Sequence, residues 1–134
     1  MKLVRWVGLA ATLAAAATAP VAALAQGPTA CDGGSVNTVY FTPNSADGKA
    51  LADQLKYIQK RIGASGTAVV TGRIDAAERS VAGLDKSRAD TVVSRLVEFG
   101  AKQDQLTASG GGVMSVGEAM LNRRVEVCVK TPPG

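Results

Sequence analysis

Residues 69–90, VVTGRIDAAERSVAGLDKSRAD, decide how the chain is read. Val69, Val70 and Thr71 close an apolar, β-branched run that Gly72 interrupts, which predicts a short strand over Thr67–Thr71. Farther on, Ala89, Val92, Val93, Leu96 and Val97 recur on one face of a helix that Asp85 can N-cap and Gly100 stops. Asp75 then falls just past the strand end, and Arg88 falls in the first helical turn. Strand ends and helix starts meet along one edge of an αβ sandwich, so the two side chains can converge. Together they complement a zwitterion: an ammonium meets the carboxylate, and a carboxylate meets the guanidinium fork. The backbone N–H groups of the helix start add to the anion side. The plainer alternative is that Asp75 and Arg88 pair with each other at the surface.

On the N-terminal side, Val36–Phe41 alternates as a strand, and Thr42-Pro43-Asn44-Ser45 breaks it. Asn44 or Ser45 suits an N-cap for the helix whose stripe is Leu51, Leu55, Ile58 and Ile62, ending at Gly63. On the C-terminal side, Gln105–Ser109 reads as a weak strand and Gly110-Gly111-Gly112 as a flexible break. A short helix falls within 113–121, and Arg123–Val129 is a final strand with Val125, Val127 and Val129 on one face. The order predicts an α+β fold: a two-layer αβ sandwich, βαβαβ(α)β, with helices on one face of a mixed four-stranded sheet.

The 134 residues allow one domain. Met1–Arg5 is a short basic stretch, an alanine-rich apolar run follows, and Ala23-Leu24-Ala25 is a small-x-small site, so residues 1–25 read as a cleaved signal peptide. The alternative is an uncleaved N-terminal anchor. Residues 26–35 read as irregular, 36–130 as the domain and 131–134 as a tail. Without 1–25 the chain keeps 13 basic and 11 acidic residues, net +2 and scattered, which excludes a nucleic-acid partner. Export makes a disulfide permissible between Cys31 and Cys128, the only two cysteines, and this places the start of the first strand beside the end of the last. Pro28, three residues before Cys31, is not the leucine-like residue a lipid attachment site requires.

No histidine is present, which removes His-based nucleophilic, acid–base and metal chemistry. No phosphate-binding glycine motif occurs, and two distant cysteines do not make a zinc site. Asp75 and Glu78 could serve as paired carboxylates, but loop acids are usually just solvated. No catalysis, metal or cofactor is expected.

Leu84-Asp85-Lys86-Ser87-Arg88-Ala89 is similar to the Leu-Ser-x-x-Arg-Ala motif of the OmpA-like C-terminal domains, and Asn122-Arg123-Arg124-Val125-Glu126 matches their Asn-Arg-Arg-Val-Glu ending. Val39-Tyr40-Phe41 with Asn44-Ser45, Val97–Gly100 and Ser109–Gly112 fit the landmarks between, so that about Val36–Val129 resembles this family of peptidoglycan-binding modules. It includes parts of outer-membrane porin-like proteins, peptidoglycan-associated lipoproteins and flagellar stator subunits. The resemblance implies a non-catalytic periplasmic protein, associated with the outer membrane in one version, that grips the diaminopimelate of the peptidoglycan stem peptide. It implies Asp75 and Arg88 as ligand-binding residues, with Asn44 and Arg123 (or Arg124) lining the groove. The sequence departs from the family at Arg73, where an aromatic or His is usual, at Ile74 for Thr, at Val81 for Asn, at Asp85 for Ser, and in a shorter loop after Asp75. The alternative these departures raise is a degenerate pocket on a module that binds another envelope protein.

Overall fold

The computed structural model describes residues 27–132. The expected signal peptide, 1–25, lies outside them. Four strands, β1 (Ser35–Tyr40), β2 (Thr67–Asp75), β3 (Leu106–Met114) and β4 (Arg124–Lys130), form one sheet in the order β1-β4-β2-β3. β4 runs antiparallel to both β1 and β2, and β2 and β3 are parallel, so the sheet is mixed as expected. The helices are α1 (Ala52–Ile62), α2 (Leu84–Glu98) and the single-turn α3 (Ala119–Asn122).

The core lies between the sheet and the two long helices. The α1 stripe of Leu55, Ile58 and Ile62, preceded by Leu51, meets Ala89, Val92, Val93 and Leu96 of α2 over Val39, Val70, Val125 and Val127 of the sheet. Each fully buried branched side chain contributes about 1.5–3 kcal/mol. Val97, assigned to this face from its spacing, is 37% exposed and stands outside the cluster.

The local reasons for the elements correct several expectations. Neither Asn44 nor Ser45 caps α1. Asn44 is left-handed (φ 57°) in a turn closed by Ser45 N–H donating to Thr42 O, and the chain enters α1 later, through a 3-10 turn at Lys49–Leu51. Gly63, left-handed at φ 61°, ends α1 as its sequence position predicts. β2 does not stop at Gly72 but runs on to Asp75. Glycine stands there because α2 crosses the strand: a Cβ would lie 1.8 Å from Asp85 O. Asp85 is not the N-cap of α2, since left-handed Gly83 holds that position. Its carboxylate instead accepts from Gly112 N–H at 2.9 Å and ties the helix start to β3. Residues 110–112 are therefore no flexible break. They lie within β3, where side chains at 110 and 111 would collide with Asp85 and with Thr71 and Arg73.

The other sheet face carries Arg73, Arg124, Glu126 and Cys128. Residues 27–34 lack regular structure and lie against it. Cys31 is disulfide-bonded to Cys128, with Cα atoms 5.6 Å apart, and Ser35 at the start of β1 pairs with Val129 near the end of β4. Thr29 Oγ1 donates to Glu126 Oε1 at 2.9 Å, and the Arg73 guanidinium donates to Gly27 O, Thr29 Oγ1 and Glu126 Oε1. The segment is a strap fixed by one covalent bond and one buried polar cluster.

Candidate functional site

Asp75 is the last residue of β2, and Arg88 lies five residues into a helix that starts against the same sheet edge. The fold brings them to one place, but they do not pair with each other. Asp75 is half-buried. Its Oδ1 accepts from Asn122 Nδ2 at 2.8 Å, and its Oδ2 accepts from Ala77 N–H at 2.9 Å, capping the 3-10 turn Ala76–Glu78. The Asn122 hydrogen bond first, then that N–H, hold its carboxyl below the usual range, and the positive field of Arg123 adds to the effect. Each oxygen keeps acceptor capacity, because a carboxylate offers roughly four lone-pair sites.

Arg88 is fully buried, with its guanidinium 5.4 Å from the centre of the Phe41 ring. Nε donates to Ser45 O at 2.8 Å. One terminal nitrogen donates to Arg73 O and Glu78 Oε1, and the other to Thr42 O and Glu78 Oε2. These bonds engage all five N–H groups of the guanidinium.

Glu78, read from sequence as a solvated loop acid, is instead 3% exposed. It forms a bidentate pair with Arg88, at 2.7 and 2.5 Å. Its Oε1 also accepts from Asp75 N–H at 3.0 Å and its Oε2 from Asn44 N–H at 2.6 Å, so each oxygen takes two hydrogen bonds. Burial pushes the Glu78 carboxyl up, but the hydrogen bonds from Arg88, Asp75 and Asn44 and the arginine's charge outweigh it and leave the group below its ordinary range. The left-handed turn at Asn44 aims that N–H at the carboxylate.

Of the remaining expected residues, Asn44 contributes its backbone here and is exposed, and Arg123 is half-buried with Nε donating to Phe41 O at 3.0 Å. Sequence reading missed Glu78 and Asn122 as site residues. The signal for Glu78 was present, since Asp75-x-x-Glu78 is a capping-box spacing and the reciprocal bonds form. Asn122 stands in the C-terminal motif. Its Oδ1 accepts from Val116 N–H at 2.8 Å while its amide holds Asp75, so it joins the β3–β4 connection to the site. Arg73, which replaces the usual aromatic, does not enter the site: its side chain is on the opposite sheet face, and only its carbonyl reaches Arg88.

Chemically the arrangement is a receptor for one carboxylate, made of the Arg88 fork and two backbone N–H groups, beside a second carboxylate, Asp75, that can accept from a cation. Among the described residues no group of acids or cysteines is disposed to hold a metal ion.

No family model matches the chain, and no curated protein sequence does either. Solved structures do. The periplasmic domain of MotB superposes with a TM-score of 0.63 at 22% identity, over 76% of this chain and 66% of that one. The peptidoglycan-associated lipoprotein of Burkholderia pseudomallei gives 0.56 at 22%, over 69% of this chain and 89% of that one. The OmpA-like domain of FopA1 from Francisella tularensis gives 0.51 at 18%, over 72% of each chain. The chain spans just under two thirds of the MotB domain. It has the OmpA-like fold.

Proposed function

We propose that the protein is a non-catalytic peptidoglycan-binding module of the periplasm that takes the free amino-acid end of diaminopimelate in the stem peptide. The observation that carries this reading is the convergence of the Arg88 fork and the N–H groups of Asn44 and Asp75 on a single carboxylate. The Asp75 carboxylate on the same edge supplies the ammonium partner. A zwitterionic amino-acid end presents both groups within one carbon of each other and so matches the pair, whereas a simple anion matches only the arginine side. The shared fold with a lipoprotein described as peptidoglycan-associated supports the ligand class.

One observation favours a second reading. Every N–H of Arg88 is already engaged inside the protein. In that reading the edge is a structural lock, and the domain serves as a protein-interaction module of the envelope. Co-sedimentation with purified sacculi at low salt separates the two. Wild type in the pellet, and a folded Asp75→Ala variant in the supernatant, are expected from peptidoglycan binding. Wild type in the supernatant selects the lock.

A further inference from the structure

We propose that Glu78 is an internal occupant of the carboxylate receptor, and that a ligand carboxylate enters by exchanging with it. The inference rests on the reading above and adds how the site is controlled.

The two halves of the Arg88–Glu78 pair are held very differently. Arg88 is fixed by three backbone carbonyls from two separate segments, Ser45 O, Thr42 O and Arg73 O, and by the Phe41 ring, all independently of Glu78. Glu78 sits on a 3-10 turn whose other residues, Ala76 and Ala77, are exposed, as are Arg79 and Ser80 after it. The backbone hydrogen bonds of this turn are local: Arg79 N–H to Ala76 O and Val81 N–H to Glu78 O. Apart from Glu78 itself, the segment from Ala76 to Ala82 is anchored only by Val81, which is half-buried against the cluster of Ile74, Leu84 and Val113. The receptor half is therefore rigid, and the occupant half rides on a light surface arm.

Removing Glu78 alone would leave a buried guanidinium unpaired, a strongly unfavourable state. Replacing it with another carboxylate avoids this state, because the fork and both N–H groups are matched again. The tethered Glu78 competes at a high local concentration, so it weakens every external carboxylate without abolishing binding. The Asp75-x-x-Glu78 spacing of the capping box sets the glutamate at the distance from which it reaches back into the arginine.

The test uses Glu78→Ala, with acetate as the probe and chloride at equal ionic strength as the control. Thermal unfolding of this variant should be lowered relative to wild type, then raised saturably by acetate and not by chloride, while wild type does not respond. If the variant is unfolded without a carboxylate, refolding on addition of acetate is the same result. No response to acetate, by melting or by refolding, overturns the proposal. Sacculus co-sedimentation is the second arm. In acetate-free buffer, or after sacculi replace acetate by dilution, Glu78→Ala should bind several-fold more tightly than wild type. Wild type binding as tightly as the folded variant overturns exchange and leaves peptidoglycan binding intact. Acetate rescue with neither protein on sacculi supports the internal occupant and removes peptidoglycan as the ligand.

Discussion

Arg73 and Glu126 form an ion pair, Nε to Oε1 at 3.0 Å, on the sheet face away from the helices, and both side chains are almost completely buried. The pair explains why an arginine can stand where the OmpA-like pattern has a ring. Its guanidinium also holds Gly111 O of β3 and Gly27 O and Thr29 of the strap. Arg73→Ala leaves Glu126 buried with fewer partners and should destabilise the fold by about 3–5 kcal/mol in urea unfolding, the usual cost of breaking a buried pair. Binding at the Asp75 edge should survive in the folded fraction, because only the residue 73 carbonyl takes part there.

Gly72 tests the crossing of α2 over β2. Alanine at this position places its Cβ 1.8 Å from Asp85 O, a backbone atom that cannot turn away. The helix start would have to lift, which also moves Arg88. Overpacking costs about 1–3 kcal/mol and occasionally more. Gly72→Ala should lie at or above that range in chemical denaturation, whereas Gly83→Asn, at a left-handed position that asparagine tolerates, should cost far less.

The Cys31–Cys128 bond closes a span of 97 residues. The loop-entropy model gives about 4–5 kcal/mol for a loop of that size, an upper figure. Reduction should lower the urea midpoint and, before global unfolding, make residues 27–34 sensitive to proteolysis, since the strap then keeps only its polar contacts with Arg73 and Glu126. Thiol labelling of unfolded, unreduced protein should find no free thiol.

Acid should weaken the fold through Asp75 and Glu78. Both folded-state carboxyls are held below their ordinary values, Asp75 chiefly by Asn122 and Glu78, against its burial, by Arg88. The sign follows from linkage: a depressed folded-state pKa adds stability above the unfolded value, about 4, and that stability is lost as pH falls from there through the folded value. Urea midpoints should therefore be flat in their contribution from these groups between pH 7 and 5 and fall below about pH 4. Asn122→Ala should reduce the part of that fall that belongs to Asp75.

The order of elements, the two apolar helix stripes and the disulfide were legible because each rests on periodicity or on a count of two cysteines, whereas the mixed sheet follows from the family resemblance. The extents of β2 and β3 were not. Gly72 and Gly110–Gly112 read as breaks in isolation, and only the closeness of α2, Thr71 and Arg73 shows that 72, 110 and 111 are places where no side chain fits. Asp85 read as a cap, because its bond to Gly112 depends on strand register, which the sequence does not display. At the candidate site, the closeness of Asp75 and Arg88 was legible from their positions, but the burial of Glu78 beside them was not. A charged residue in a short polar loop is normally solvated, and its burial follows only from Arg88 and the turned backbone at Asn44 lying within reach.

If this edge takes the amino-acid end of diaminopimelate, the isolated protein must bind it in solution. Isothermal titration of the wild-type protein with a soluble stem peptide ending in diaminopimelate tests it most directly, against the same peptide with lysine, which lacks the second carboxylate, at that position. The expected result is saturable binding of the diaminopimelate peptide, much weaker binding of the lysine peptide, and loss of the difference in a folded Asp75→Ala variant. No binding of either peptide, or equal affinity for both, would contradict it.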